Sequence, residues 1–125
     1  QYTGAAMTSP PPSDPIHHGL DAGCLRHVLG YQLAQAEVPT RKIFFKHIGE
    51  PLQLRPVEFT ILMLVLHNAD VTQKQLAQAL AASAPNTTIL LDRLEERELI
   101  TRVRSEADRR AQHVRLTRKG QTLAK

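Results

Sequence analysis

Apolar residues recur along the chain at two periods, one helical and one alternating. Over residues 20–49, Leu25, Val28, Leu29, Leu33 and Ala36 follow the i, i+3, i+4 spacing of a helix with one apolar face. Ile43, Phe44, Phe45 and Ile48 carry that surface onward. Pro39 falls inside it, where a missing N–H and a ring clash predict a kink or split costing about 3 kcal/mol. Gly49-Glu50-Pro51 predicts the end of this helical region. So much apolar surface at the edge of a small domain predicts packing on something beyond that domain.

A second helix is predicted over 56–68, with Pro56 in its first turn. The run Ile61 to Leu66 is apolar all round, which predicts burial on most faces. Asn68-Ala69-Asp70 reads as a turn, and Thr72-Gln73-Lys74-Gln75 as a capping box that opens a short helix with Leu76, Ala77 and Leu80 inward. Ser83 is a second N-cap candidate, followed by Pro85. The helix predicted over 84–97 buries Leu90, Leu91 and Leu94; Asn86, Ile89 and Arg93 share another face, and Thr87 lies nearer the buried side than Thr88. The period then changes. Leu99 to Val103 and His113 to Leu116 largely alternate apolar and polar residues, as short strands do. Between them runs Arg104 to Gln112, a charged tip without a turn glycine. Two short helices joined by a tight turn, then a basic-tipped hairpin, predict a mainly α fold with a small antiparallel β-hairpin: a winged helix-turn-helix.

Composition narrows this picture. The 125 residues make one domain's worth of chain, enough to bury roughly two-thirds of the unfolded surface. With three Phe, two Tyr and no Trp, the core must be aliphatic. One cysteine excludes an internal disulfide framework and any multi-cysteine zinc site, and no apolar run is long enough to span a membrane. No secretory signal opens the sequence, so a reduced, cytoplasmic setting is expected. Residues 1–19 are rich in Pro, Ser and Gly and read as a flexible arm; Met7 is a candidate start residue, and the adjacent His17 and His18 read as loop residues.

Charge is uneven. Residues 1–100 carry 8 basic and 10 acidic side chains, whereas residues 101–125 carry 8 basic and 2 acidic, a local net of +6. The pI near 9.6 therefore comes from the hairpin and the helix start after it. Such a basic stripe is an electrostatic footprint for polyanions.

The stretch from Leu54 to Gly120 resembles the MarR family of transcriptional regulators. The resemblance rests on LRPVEFTIL, TQKQLAQAL, LLDRLEERELI and above all Arg104 to Gly120, RSEADRRAQHVRLTRKG. There Asp108 and Arg110 match the family's Asp-x-Arg wing pattern, and Leu116-Thr117-x-x-Gly120 its close. It implies a winged helix-turn-helix with flanking dimerisation helices: an arm over 1–19, N-terminal dimerisation helices over 20–53, the DNA-binding domain over 54–120, and the start of a C-terminal dimerisation helix over 121–125. It also implies a homodimer that usually represses genes and is released from DNA by a small, often aromatic, ligand. The LRPVEF stretch is similar to members that respond to aromatic acids or their thioesters. Three positions depart from the family. Glu98 and Ala81 replace frequent glycines, and Glu98 predicts a different helix exit, because a side chain resists the left-handed conformation. Ile89 stands where a polar or basic residue often faces DNA.

These readings name a candidate DNA-binding set: Ser83 as cap, Asn86 reading adenine, Thr88 touching a phosphate or a thymine methyl, and Arg93 reaching a phosphate or pairing with Glu96. At the wing, Arg109 and Arg110 are candidates for the minor groove and flanking phosphates, Asp108 for holding a wing arginine, and Gln112 and His113 for minor contacts. Arg41, Phe44, Phe45, His47, Met63 and His67 are candidates for an effector pocket between the first helices and the DNA-binding lobe, with plain core as the competing reading; Arg41 or Arg55 would meet a carboxylate. An alternative is a redox-sensing repressor acting through Cys24. No cofactor is expected, the six histidines show no metal-ligand spacing, and no phosphate loop, nucleophile elbow or His/Glu metal motif points to an enzyme. The expected partners are double-stranded DNA, a second copy of the chain and a small-molecule effector, with no membrane.

Overall fold

The computed structural model describes residues 20–108 and 110–125; the arm over 1–19, with Met7, His17 and His18, and the wing candidate Arg109 lie outside the described residues. The chain divides into two units, Gln1–Ile43 and Phe44–Lys125.

In the first unit a 3-10 turn over Gly23–His27 precedes helix α1, which starts at Leu29 and runs to Phe44. The helix passes through Pro39 without a break, contrary to the expected interruption. Side-chain bonds on the neighbouring residues accompany the continuous helix. Thr40 Oγ1 donates to Ala36 O at 2.9 Å, and Arg41 donates two 2.6 Å hydrogen bonds to Glu37. Leu25, Val28, Leu29, Leu33 and Ile43 are exposed, so the periodic apolar face is present but uncovered within the described chain.

The helical path also continues past Gly49. One π-helical turn, Phe45–Gly49, leads into a short helix α2, Glu50–Leu52. Gly49-Glu50-Pro51 is therefore not the stop that the sequence predicted. Pro51 is accommodated in α2, and the chain turns at Gln53, which has φ 51°.

Helix α3 spans Pro56–His67, and the Arg55 N–H at its start donates to Glu58 Oε2 at 3.0 Å. Ile61, Leu62 and Val65 are buried while Met63, Leu64 and Leu66 are half-buried, so the all-apolar run is covered on most sides as expected. Helix α4, Gln73–Ala79, opens on the predicted capping box: Thr72 Oγ1 accepts from Gln75 N, and Gln75 Oε1 accepts from Thr72 N. Helix α5, Ala84–Glu96, is capped by Ser83 and buries Thr87, Leu91 and Leu94. Strands β1, Ile100–Arg104, and β2, Gln112–Leu116, pair antiparallel with Ile100 opposite Leu116 and Arg104 opposite Gln112. A short helix α6 follows, Arg118–Ala124, capped by Thr117.

The core of this unit is aliphatic: Leu54, Ile61, Leu62, Val65, Val71, Leu76, Leu91, Leu94, Leu99, Ile100 and Val114 form one buried cluster. Two main-chain contacts tie the hairpin to the helices. Val114 N donates to Val71 O at 2.8 Å, and Thr72 bridges to His113, so the lead-in to α4 extends the hairpin by a single bridge. Gly120 packs so closely on the turn after α5 that a Cβ there would lie 2.0 Å from Leu99 O. Only glycine fits, which is the physical content of the Leu-Thr-x-x-Gly close.

Candidate nucleic-acid interface

The turn between α4 and α5 and the exit from α5 both close through left-handed residues that are not glycine. Ala81 has φ 50°, and Ala82 N donates to Ala77 O; Glu98 has φ 59°, and Leu99 N donates to Leu94 O. Each has the six-to-one bond of a Schellman ending. The different helix exit expected from Glu98 is thus not taken. The exit is the left-handed one, held by Thr117 Oγ1 donating to Glu98 O at 2.6 Å and by Leu99 and Ile100 being fully buried. The surrounding contacts outweigh a strain of about 1–2 kcal/mol.

Helix α5 leaves Asn86 and Ile89 exposed on the side away from Thr87, Leu91 and Leu94. Ser83 Oγ accepts from Asn86 N at 3.3 Å, so Ser83 is a structural cap. Pro85 carries no N–H, which leaves Ala84 as the amide of the first turn that can face an anion. The Asn86 side chain is exposed. Thr88 Oγ1 donates to Ala84 O at 3.0 Å and accepts from Gln73 Nε2 at 2.8 Å, so its single proton is already in use. Arg93 reaches neither Glu96 nor open solvent alone: its Nε lies 3.5 Å from Oε1 of Glu58, a carboxylate on α3 that is only 1% exposed. Sequence spacing along α5 cannot reveal a partner on another helix.

Arg102 on β1 grips α5 from the side. Its Nε donates to Glu95 at 2.7 Å, and its second guanidinium nitrogen donates to Asp92. Burial works against its charge, but the hydrogen bonds and charges of Glu95 and Asp92 outweigh burial, so Arg102 holds its proton more tightly than an ordinary arginine. Arg97 at the end of α5 donates to the carbonyls of Gln53 and Leu52 at 2.7 and 2.9 Å. None of these clamps was anticipated from the sequence.

Ser105 and Asp108 make local polar bonds at the wing turn, which has no glycine. Ser105 Oγ accepts from the Ala107 and Asp108 amides, and Asp108 Oδ1 accepts the backbone N–H of Arg110 at 3.0 Å. Asp108 therefore shapes the turn that carries Arg110 by binding its main chain. The Arg110 side chain is exposed. It flanks an open groove of about 470 Å³ shared with Gln73, Lys74, Ala77, Ala84 and Gln112. That groove brings together the starts of α4 and α5 and the wing. Lys74 was not among the candidates; its only signal was an exposed cation inside the capping box. Gln73 Oε1 and His113 Nδ1 are buried without a hydrogen-bond partner among the described residues.

The effector candidates are partly brought together. Phe44 stands edge-on to Phe45 and to Phe59, with ring centroids 5.8 and 5.7 Å apart. Met63 is half-buried, whereas His47 and His67 are exposed. Arg41 is paired with Glu37 on its own helix. Cys24 is exposed in the 3-10 turn. Among the described residues no group of three or more His, Cys, Asp or Glu is placed to hold a metal ion, and no helix is long and apolar enough to cross a membrane.

Comparison with known proteins places this arrangement. The sequence model of the MarR family matches residues 52–111. The HTH-type transcriptional regulator MhqR of Bacillus subtilis (strain 168) is 35% identical over 75 residues, which is 60% of this chain; the match spans 51% of that protein, so the chain aligns with about half of its relative's length. The structure of the transcriptional repressor CouR bound to a 23-mer DNA duplex superposes with a TM-score of 0.76 at 37% identity, covering 84% of this chain and 73% of CouR. CouR bound to p-coumaroyl-CoA superposes with a TM-score of 0.70 at 35% identity, covering 84% and 72%. With the capped helix pair, the left-handed turns and the Asp-ordered wing already in place, the chain belongs to the MarR family of winged-helix transcriptional regulators.

Proposed function

We propose that this protein is a sequence-specific, double-stranded DNA-binding repressor that acts as a homodimer in the cytoplasm and leaves a pseudo-palindromic operator when a small aromatic effector binds. The observation that carries the reading is the groove between the starts of α4 and α5 and the wing, which Lys74, Ala84 and Arg110 line together. Helix α5 lies in the major groove. Asn86 offers its amide to an adenine edge, and Arg110, with Arg109 beside it in sequence, follows the backbone into the minor groove. Arg93, Thr88 and Ser83 border this face; Ser83 supports it as a cap.

Affinity arithmetic supports a dimer. One module held mainly by phosphate contacts binds with Kd on the order of 10⁻⁴–10⁻⁶ M, whereas specific DNA-binding proteins reach roughly 10⁻⁸–10⁻¹¹ M. Two copies on half-sites about 10 bp apart close that gap. The exposed apolar face of α1 is the surface that a second copy would cover. For the effector we propose an aromatic acid or its thioester, the chemistry of the CouR ligand, held near Phe44, Phe45, His47, Met63 and His67.

The test is DNA binding by anisotropy with Arg110→Ala, followed by displacement with aromatic acids and thioesters. The expected result is binding weakened by about 1–3 kcal/mol with an unchanged melting temperature. Binding that is unaffected, or that falls only in step with stability, overturns the wing assignment. A footprint of one isolated half-site overturns the dimer.

A further inference from the structure

The outward face of α5 carries one large apolar residue among polar ones. Ile89 is 59% exposed, while Thr87 and Leu91 on either side of it are fully buried. At about 100° per residue, Ile89 points roughly 200° away from both, so it occupies the middle of the face opposite the core. Asn86 and Arg93 lie about 40–60° to one side of it, and Asp92 about 60° to the other. Thr88 stands on the shoulder next to it with its hydroxyl proton committed to Ala84 O and its oxygen accepting from Gln73, so the methyl is the part of that side chain left to offer.

In the major groove of duplex DNA the apolar feature of the base edges is the thymine C5-methyl; the remaining edge groups are hydrogen-bond donors and acceptors. We infer that Ile89 is a specificity-determining residue that packs on the 5-methyl group of a thymine in each operator half-site, with the Thr88 methyl widening the apolar contact. The inference rests on the proposed reading that α5 lies in the major groove. Lys74 and Arg110 line the groove at the start of the same helix, beside Ala84, and favour a polyanion as the occupant. Asn86, one turn earlier on the same side, is suited to an adenine, so the two residues together select adjacent A·T pairs.

The test uses the full chain and a random-core DNA duplex library. Duplexes are enriched, and the best binder is resynthesised with deoxyuridine in place of thymidine at each position in turn; the replacement removes the methyl and leaves every hydrogen-bonding group. Wild type, Ile89→Ala and Ile89→Asn are titrated by anisotropy, with melting temperatures measured alongside. The expected result is one position per half-site at which uracil weakens wild-type binding about fourfold per methyl removed, and at which that difference shrinks in both variants, most in Ile89→Asn. Wild type indifferent to uracil at every position overturns the inference while leaving the DNA-binding reading intact. So does a thymine preference that survives undiminished in Ile89→Ala and Ile89→Asn. Failure to enrich any duplex overturns the DNA-binding reading and this inference with it.

Discussion

Replacing Arg102 with methionine removes the charge that joins the wing to α5 while keeping most of the stem that packs there. The wild-type side chain is 18% exposed and contacts two carboxylates that are 48% and 44% exposed. An exposed ion pair contributes about 0.2–1 kcal/mol, and breaking a fully buried one costs about 3–5 kcal/mol. Arg102 lies between these limits. Its two charge-assisted bonds, discounted for the half-exposed partners, amount to about 1–2 kcal/mol. The substitution also leaves Asp92 and Glu95 as unneutralised neighbours one turn apart on the helix proposed to meet DNA, so duplex affinity falls together with stability.

The assay is urea denaturation followed by circular dichroism at low and high salt, with duplex titration in parallel. Arg102→Met should lose about 1–2 kcal/mol at low salt and less at high salt, where the loss is partly screened. Adding Asp92→Asn and Glu95→Gln should restore part of the stability and most of the affinity, because repulsion within α5 is gone. A loss below about 0.3 kcal/mol, or a triple variant no better than Arg102→Met, refutes the clamp and reduces the cluster to a surface ion pair.

Glu98→Gly should stabilise the protein by about 0.5–1 kcal/mol in urea denaturation, since relief of about 1–2 kcal/mol of left-handed strain exceeds the added unfolded-state entropy. Gly120→Ala should cost about 3 kcal/mol, read as a lower urea midpoint, because the new Cβ would sit 2.0 Å from Leu99 O and has no flexible neighbour to displace. The slope of log K against log salt should be near −3 per protomer, the value for about three phosphate neutralisations by cations such as Lys74, Arg104 and Arg110, and a slope near −7 would show that the clamped cations also reach the duplex.

Elements with a local cause were legible in the sequence. The Thr72–Gln75 box, the Ser83 cap and the burial of Thr87 ahead of Thr88 depend on residues within one turn of each other, and the structure has all three. The hairpin was legible from its alternation, displaced by one residue at each start. What depends on a distant partner was not. The Glu58–Arg93 pair, the Arg97 bonds to the end of α2 and the Val71–Val114 bond each join segments that no periodicity connects. Glycine-based rules also misled at Glu98, because tertiary bonds there impose a conformation that the residue alone resists. At Pro39 a local rule for splitting helices failed, and α1 runs through the proline with local side-chain bonds on the residues beside it.

The charge of the last 25 residues shows the same division between pattern and structure. The sequence places eight cations there, and taken at face value they form a strongly basic stripe. The fold spends several of them internally. Arg102 is matched by Asp92 and Glu95, Arg115 lies 3.8 Å from Asp70, and the Lys119 ammonium donates to the Arg97 carbonyl that ends α5. Among the described residues, Arg104, Arg110, Arg118, Lys119 and Lys125 have no acidic partner, and of these five only Arg110 borders the groove at the start of α5. A footprint reduced to a few outward cations gives a weaker non-specific hold on DNA than the pI suggests. On the proposed reading, discrimination then comes from the face of α5 itself, from one amide at Asn86 and an apolar surface at Ile89, backed by the Arg102 clamp between helix and wing.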